Sequence, residues 1–218
     1  MAEAELLITS KNYSSWSLRG FLLVRLSGLK FRETSVLPDD PRVRAELLLQ
    51  SSSIRLPCLV HDGVEVWDTL AIAEYLNELC PEAGMLPKER TARARCRSIA
   101  GEMHSGFSAL RSSLPMNLRA HRPGFAVWSG AQADIDRILE IWQDCLATWK
   151  GPWLFGKHPS IADAMYAPVV TRFLTYDVRL AAPFAGYCKH IMAWPDMAEW
   201  VGAAKAEPDA IEELEVEF

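Results

Sequence analysis

The chain has 218 residues, half of them apolar and 23% charged, and its formal net charge is −5. This composition excludes a disordered chain, and the negative charge without a basic cluster disfavours nucleic acid as a partner. We find no run of about 18 apolar residues, the length that a membrane-spanning helix needs. The N-terminus carries acids where a secretory signal would need bases, so we expect a cytoplasmic protein without membrane contacts.

The cysteines and histidines form no recognisable metal or disulfide motif. No two cysteines have CxxC spacing, and no HExxH sequence occurs. We therefore expect reduced thiols that mostly serve in packing, and no bound metal ion. The cysteines are Cys58, Cys80, Cys96, Cys145 and Cys188.

The N-terminal part begins with a strand, a helix and a second strand. Residues 5–10 and 31–36 have strand-like composition, and the apolar stripe between them predicts a helix from about Ser15 to Leu26, ended by Gly28. This order is typical of a βαβ unit with parallel strands.

A hairpin and another helix follow in the sequence. The segment CLVHDGVEVWD predicts two strands joined at Asp62 and Gly63, because Asp-Gly is a strong hairpin turn signal. An apolar stripe over 68–79 then predicts a helix that either Asp68 or Thr69 begins.

The remainder of the chain has a helical pattern. Long periodic segments at 92–114 and 131–150 predict helices, and Ser160 and Asp163 form a capping pair before a helix that Pro168 should bend or interrupt. The sequence thus predicts an α/β domain over 1–80, a linker over 81–90 and an all-helical domain over 91–218.

Three short stretches have more than one interpretation. The serines at the start of the first helix are either redundant caps or a site that holds an anionic group. Pro57 must lie at the start or edge of a strand, and if its peptide bond is cis, the backbone of Leu56 can pair with a peptide-like ligand. Asp68 and Thr69 either cap a helix or bind the zwitterionic end of an amino acid.

Four stretches of the sequence resemble the glutathione S-transferase superfamily. They are YSSWSLRG, RLP, WDTLAIAEYL and WLFGKHPSIADAMYAP, and they occur in the family's order and spacing over nearly the whole chain. The resemblance implies the cytosolic glutathione transferase fold, in which a thioredoxin-like N-terminal domain is followed by an all-helical C-terminal domain.

The resemblance also implies a glutathione-binding site. Pro57 would be cis, and the backbone of Leu56 would pair with the cysteinyl unit of glutathione. Asp68 and Thr69 stand in place of the family's usual Glu-Ser pair and would bind the γ-glutamyl group.

Two basic residues are assigned to glutathione in the same way. Arg55 falls where some classes place a lysine that faces the glycyl carboxylate. Arg42 lies where a second basic or amide contact often occurs.

The serine-rich start of the first helix is similar to bacterial, serine-type members of the family, and especially to the zeta class, whose motif is Ser-Ser-Cys. In this alignment Ser14 takes the catalytic position and Ser15 follows it, whereas Trp16 replaces the cysteine. The Ser14 hydroxyl would donate to the glutathione sulfur and stabilise the thiolate. Ser15, Tyr13 and Ser17 are alternative donors.

The substrate pocket of the family lies between the two domains. By that resemblance it would be lined by His104, Phe107, Arg111, Met116 and Asn117. His104 has the alternative role of a core or interface histidine. Arg111 either receives a carboxylate-bearing substrate or forms a solvated or salt-bridged contact.

These observations predict a glutathione transferase that promotes attack of the glutathione thiolate on a small electrophile. A glutathione-dependent cis–trans isomerase of zeta type, acting like maleylacetoacetate isomerase, is the first alternative, and the loss of the cysteine counts against it. The second is a non-catalytic protein that binds glutathione or hydrophobic ligands. A homodimer is expected from the family.

Overall fold

A computed structural model describes residues 4–36 and 55–207 of the chain. Arg42, one of the predicted glutathione contacts, lies outside these ranges. The first part of the chain contains β1 (Ala4–Ile8), α1 (Ser15–Ser27), β2 (Phe31–Ser35), β3 (Cys58–His61), β4 (Val64–Trp67) and α2 (Thr69–Leu79). A short 3-10 turn at Pro81–Ala83 leads into α3 (Arg90–Ser105), α4 (Ser108–Ser113), α5 (Ser129–Trp149), α6 (Ile161–Thr175), α7 (Ala182–Met192) and α8 (Pro195–Ala206).

The described strands form one sheet in the order β2-β1-β3-β4. β1 and β2 are parallel, with Ala4 opposite Phe31, which confirms the pairing predicted for the βαβ unit. β3 runs antiparallel to both β1 and β4. The connection between β3 and β4 is the predicted hairpin turn, in which Asp62 and Gly63 have φ angles of 49° and 79°, as a type I′ turn requires.

Helix α1 packs against the turn that precedes β3. Its residue Leu22 is fully buried in the core. Gly20 faces Pro57 so closely that a Cβ atom at this position would lie 2.7 Å from the Cβ and Cγ atoms of the proline ring. Gly28, with φ 74°, ends the helix as predicted by donating its N–H to the carbonyl of Arg25. The absence of a side chain at position 20 therefore sets how closely α1 approaches the turn at Pro57.

The prediction of one helix over 92–114 was wrong, because the helix is broken in the middle. α3 ends at Ser105, Gly106 is extended, and Phe107 takes a left-handed φ of 59° before α4 begins. The Phe107 side chain is only 6% exposed and belongs to the continuous apolar core shared by the sheet and the helices. Burial of this aromatic ring outweighs the local preference for a continuous helix.

Helix α6 runs through Pro168 without interruption. Its start is secured by Asp163, whose Oδ2 accepts hydrogen bonds of 2.8 Å from both the N–H and the hydroxyl of Ser160. The other carboxylate oxygen accepts from Leu154 N–H and from the Tyr187 hydroxyl, each at 3.0 Å. Asp163 therefore joins the start of α6 to the preceding loop and to α7.

None of the helices in residues 4–36 and 55–207 has the length and apolar composition that a membrane crossing requires. The same residues contain no group of three or more histidine, cysteine, aspartate or glutamate side chains arranged to hold a metal ion.

Candidate functional site

The start of α1 presents two serine hydroxyls with different hydrogen bonding. Ser14 is the N-cap: its Oγ accepts the N–H of Ser17 at 3.2 Å and donates to the Ser17 hydroxyl at 2.9 Å. Ser17 in turn accepts the N–H of Thr9 at 3.0 Å. The Ser15 hydroxyl has no hydrogen-bonding partner within the part of the chain that the structure describes. Ser14 and Ser15 are both buried, with exposed fractions of 7% and 8%.

The start of α2 combines a carboxylate with an unpaired hydroxyl. Asp68 is the N-cap, and its Oδ1 accepts the N–H groups of Leu70 at 2.8 Å and Ala71 at 3.3 Å. Asp68 has φ 73°, a strained value for a residue with a side chain. Thr69 is 1% exposed, and its hydroxyl oxygen has no hydrogen-bonding partner in the described ranges. A buried hydroxyl without a partner is costly, and the position at a helix N-terminus favours an anion beside it.

His104 connects these two helix starts. Its Nε2 lies 2.5 Å from the second carboxylate oxygen of Asp68, and its ring packs edge-on against Trp16 of α1 with centroids 5.2 Å apart. Burial acts to raise the pKa of the Asp68 carboxyl, but the hydrogen bond and charge of His104 and the two backbone donors outweigh it, and the pKa is lowered. Asp68 is therefore an anion, and one of its oxygens faces a basic group.

The peptide bond between Leu56 and Pro57 is cis, as the resemblance implies. Leu56 is half-buried, and its backbone makes no hydrogen bond to other described residues. It is thus available to an extended ligand. Arg55, just before it, is exposed and stacks on the ring of Trp67 with 4.6 Å between guanidinium and centroid.

Three arginines cluster where α1 meets the helical part. Arg19 donates to the carbonyls of Met165 at 2.8 Å and Ser15 at 3.4 Å, and Arg172 donates to the carbonyl of Leu114 at 2.7 Å. Burial lowers the pKa of Arg19, and the charges of the two other members, Arg111 and Arg172, lower it further. Burial lowers the pKa of Arg172 to about 10, and it also lowers that of Arg111. Guanidinium groups stay protonated in proteins, so the cluster is positively charged.

Arg111 lies beside Trp16, with 4.7 Å between its guanidinium and the ring centroid. Its Nε donates to the carbonyl of Gly106 at 3.2 Å, and its Nη2 donates to the carbonyls of Met103 and His104. Arg111 thus caps the end of α3 and adds positive charge to the same region.

The structure brings together several, but not all, of the residues predicted for the site. Those predicted for glutathione on α1 and α2 are linked through Trp16 and His104, and His104 lies beside Asp68 rather than in a separate pocket. Phe107 lies in the core. Two open cavities, of about 650 and 1010 Å³, lie in the helical part and are lined by none of the predicted site residues.

The buried cysteines do not provide an alternative reactive thiol. Burial raises the pKa of Cys96 and Cys188 to about 12 and that of Cys145 to about 11, and it also raises the pKa of Cys58. These thiols stay protonated at neutral pH and are weak nucleophiles.

Sequence reasoning missed the contacts that hold the loop before α1. Asn12 donates from its side chain to Asn117 at 3.0 Å, and Glu207, directly after α8, accepts hydrogen bonds from residues 10–12. No local pattern around Asn12 or Glu207 indicates either contact, because the partners are more than 100 residues apart.

A four-stranded mixed sheet with a cis-proline before β3, followed by a helical part, defines a thioredoxin-like domain joined to an all-helical domain. The comparison with protein families agrees with this class. The sequence matches the family described as glutathione S-transferase, N-terminal domain, over residues 13–79, and glutathione S-transferase, C-terminal domain, over residues 92–203. The chain therefore belongs to the glutathione S-transferase family.

The chain is similar to named relatives of two activities. It is 29% identical to maleylacetoacetate isomerase of Rattus norvegicus over 168 residues, which cover 77% of this chain and 76% of the relative. Among solved structures, a glutathione transferase homologue from Burkholderia with bound glutathione superposes with a TM-score of 0.70 at 22% identity, covering 94% of this chain and 99% of that chain. Maleylacetoacetate isomerase from Anaeromyxobacter dehalogenans, solved with bound dicarboxyethyl glutathione and citrate, superposes with a TM-score of 0.67 at 23% identity. The superposition covers 95% of this chain and 94% of that chain. At these identities the structures establish the fold.

Proposed function

We propose that this protein binds glutathione across the starts of α1 and α2 and promotes attack of its thiolate on a small electrophile. The observation that carries the proposal is the Thr69 hydroxyl, which is 1% exposed and has no hydrogen-bonding partner in the described part of the chain. Beside it, the Asp68 carboxylate offers an acceptor. Together they complement the carboxylate and ammonium of a γ-glutamyl group.

The backbone of Leu56 supports the placement of the rest of the tripeptide. Its unpaired N–H and C=O are the groups that an extended peptide uses when it pairs with a strand edge. Arg55, the residue before Leu56, supplies a positive charge for the glycyl carboxylate. Arg42 is proposed for the same end on the strength of the resemblance.

We assign stabilisation of the thiolate to a serine hydroxyl at the start of α1, Ser14 first and Ser15 second. A hydroxyl can rotate, so Ser17 can turn its hydrogen towards Ser14 Oγ and release the hydrogen of Ser14 for the sulfur. Ser15 needs no such exchange. One charge-assisted hydrogen bond of about 1.5–3 kcal/mol lowers a thiol pKa by roughly one to two units.

The positive charge of Arg19 and Arg111 also lowers the pKa of the bound thiol. Arg19 donates to the carbonyl of Ser15, so its guanidinium lies next to the second of the two serines assigned to the sulfur. Nearby positive charge favours the thiolate over the thiol. The thiolate then forms a bond to the electrophilic carbon, and a leaving group departs with the electron pair or a neighbouring carbon takes up a proton.

A second candidate function is favoured by the relatives that are named maleylacetoacetate isomerases. In that reaction the thiolate adds to a conjugated double bond, the resulting single bond rotates, and elimination restores the thiolate. Glutathione is consumed in a transfer reaction and is returned unchanged in isomerisation. Measuring free glutathione during turnover of chlorodinitrobenzene and of maleylacetoacetate separates the two functions.

Calorimetric titration with glutathione tests the binding proposal. Thr69→Val should weaken binding by about tenfold or more, because it removes the hydroxyl and keeps the shape, whereas Thr69→Ser should retain binding. Equal affinities for wild type and Thr69→Val would overturn the assignment.

The ultraviolet thiolate band of bound glutathione, titrated with pH, tests the serines. We expect the pKa of the bound thiol to lie below its ordinary value and to rise in Ser14→Ala. If Ser14→Ala matches wild type and Ser15→Ala does not, Ser15 is the donor. Binding with an unchanged thiol pKa would favour a protein that binds glutathione without catalysis. Sedimentation equilibrium tests the homodimer that we also propose.

A further inference from the structure

We propose that Glu207 is a positioning residue for the serine hydroxyls, acting through the loop that leads into α1. The proposal rests on the proposed function, in which those hydroxyls stabilise the thiolate. It concerns a residue that follows α8, at the opposite end of the described chain from the loop that it holds.

The Glu207 carboxylate accepts three hydrogen bonds from consecutive residues of this loop. Its Oε1 accepts the N–H of Lys11 at 2.6 Å, and its Oε2 accepts the N–H of Asn12 at 3.1 Å and the hydroxyl of Ser10 at 2.8 Å. A carboxylate that receives two adjacent backbone N–H groups holds that stretch of backbone in one conformation.

The loop conformation is passed on to the serines through short connections. The Ser10 hydroxyl that donates to Glu207 also accepts the N–H groups of Asn12 at 3.2 Å and Tyr13 at 3.4 Å. The Ser10 carbonyl accepts the N–H of Ser14 at 3.1 Å. A shift of the loop at residues 10–12 therefore moves the N-cap of α1 directly.

Other contacts fix Glu207 in its place. Arg119 donates one guanidinium nitrogen to the Glu207 carbonyl at 2.9 Å and the other to the Tyr13 hydroxyl at 3.0 Å. Trp200 of α8 donates its indole N–H to the carbonyl of Lys11 at 3.0 Å. Several hydrogen bonds thus join the end of α8 to the loop, and three of them are accepted by the carboxylate of Glu207.

The geometry assigns Glu207 to orientation rather than to contact with the reacting atoms. Its oxygens are occupied by the loop, and it directly follows Ala206, the last residue of α8. Loss of the carboxylate removes the acceptor of the Lys11 N–H and of the Ser10 hydroxyl, and it leaves the N–H of Asn12 only its bond to Ser10 Oγ. We expect the loop to rearrange and the serine hydroxyls to move out of line with the sulfur, while the contacts of Asp68 and Thr69 to the γ-glutamyl group remain.

The test compares Glu207→Ala and Glu207→Gln with wild type. In Glu207→Ala the pKa of the thiol of bound glutathione should rise by about one unit, which is the effect of losing one charge-assisted hydrogen bond. Turnover of chlorodinitrobenzene should fall by about tenfold to a hundredfold in kcat, as expected for a misplaced group, with KM for glutathione changed much less. Glu207→Gln keeps one acceptor oxygen, so its thiol pKa and kcat should lie between those of wild type and Glu207→Ala.

Glu199→Gln is the matched control, because Glu199 also joins α8 to α1, through Arg25 at the surface. It should leave the thiol pKa and kcat unchanged. The proposal would be overturned if Glu207→Ala had the thiol pKa and kcat of wild type, or if Glu207→Ala and Glu199→Gln changed these two quantities equally. If Glu207→Ala does not fold, Glu207→Gln decides in the same way.

Amide hydrogen exchange of residues 14–17 in the ligand-free protein separates this proposal from the proposed function. Faster exchange in Glu207→Ala by about tenfold, with no change in Glu199→Gln, supports the positioning role even if wild type does not ionise the thiol. Unchanged exchange together with an unchanged thiol pKa rejects it. Absence of any glutathione binding by wild type would reject the proposed function alone.

Discussion

The imidazole of His104 lies 2.5 Å from the carboxylate of Asp68, although the two residues are 36 positions apart in the sequence. His104 thereby occupies the face of Asp68 that we assign to the ammonium of the γ-glutamyl group. The other oxygen of Asp68 is already engaged by the N–H groups of Leu70 and Ala71. His104 and the ligand ammonium would therefore compete for the same carboxylate oxygen.

We therefore expect the affinity for glutathione to rise when His104 is replaced. His104→Ala leaves that carboxylate oxygen of Asp68 to accept from the ligand ammonium. Calorimetry with S-methylglutathione excludes ionisation of the thiol from the measurement. At a fixed pH the affinity of His104→Ala should exceed that of wild type by about fivefold or more.

The control for this experiment is His158→Ala, since His158 lies on the exposed surface. It should keep the affinity of wild type. Equal affinities of His104→Ala and wild type would show that His104 does not compete with the ligand ammonium.

Removal of the buried charge of Arg19 should raise the pKa of the thiol of bound glutathione. Arg19→Met keeps the length of the side chain but removes the positive charge next to Ser15, and we expect a rise of roughly one unit in the thiolate titration. Arg137→Met is the control, because Arg137 forms surface ion pairs with Glu102 and Glu140. If both variants titrate alike, the arginine cluster has no part in stabilising the thiolate.

Gly20→Ala should destabilise the protein by about 1–3 kcal/mol in urea unfolding, because the added methyl group would overlap the ring of Pro57. Gly202→Ala on α8 is the matched control. Its Cβ would meet no atom within 4 Å, so the change should be neutral or stabilising by up to about 1 kcal/mol, as helix propensity predicts. A Gly20→Ala variant as stable as Gly202→Ala would contradict the close approach of α1 to the turn.

Asp163→Asn should cost about 2–4 kcal/mol of unfolding free energy, because the buried carboxylate accepts four hydrogen bonds and the amide cannot accept them all. Glutathione affinity of the folded fraction should not change. Asp144→Asn, which removes an exposed partner of Arg95, should change stability by less than about 1 kcal/mol. Equal unfolding free energies of the two variants would show that the hydrogen bonds of Asp163 do not stabilise the fold.

Much of the N-terminal fold could be predicted from the sequence, because its signals are local. The apolar stripe of α1, its end at Gly28 and the turn at Asp62 and Gly63 each depend on residues within a few positions of one another. The cis bond before Pro57 followed from the resemblance, not from the residues themselves. The break after α3 was not predicted, because it depends on burial of Phe107 in a core that distant segments complete.

The candidate site divides in the same way. The sequence by itself determined that hydroxyls begin α1 and that a carboxylate and a hydroxyl begin α2, since capping is decided within one helical turn. Only the tertiary structure decided that His104 faces Asp68 and that Glu207 holds the loop at Lys11, 196 residues away. Such contacts form when whole elements dock, and docking is set by the shape of the complete core, which no short stretch of sequence contains.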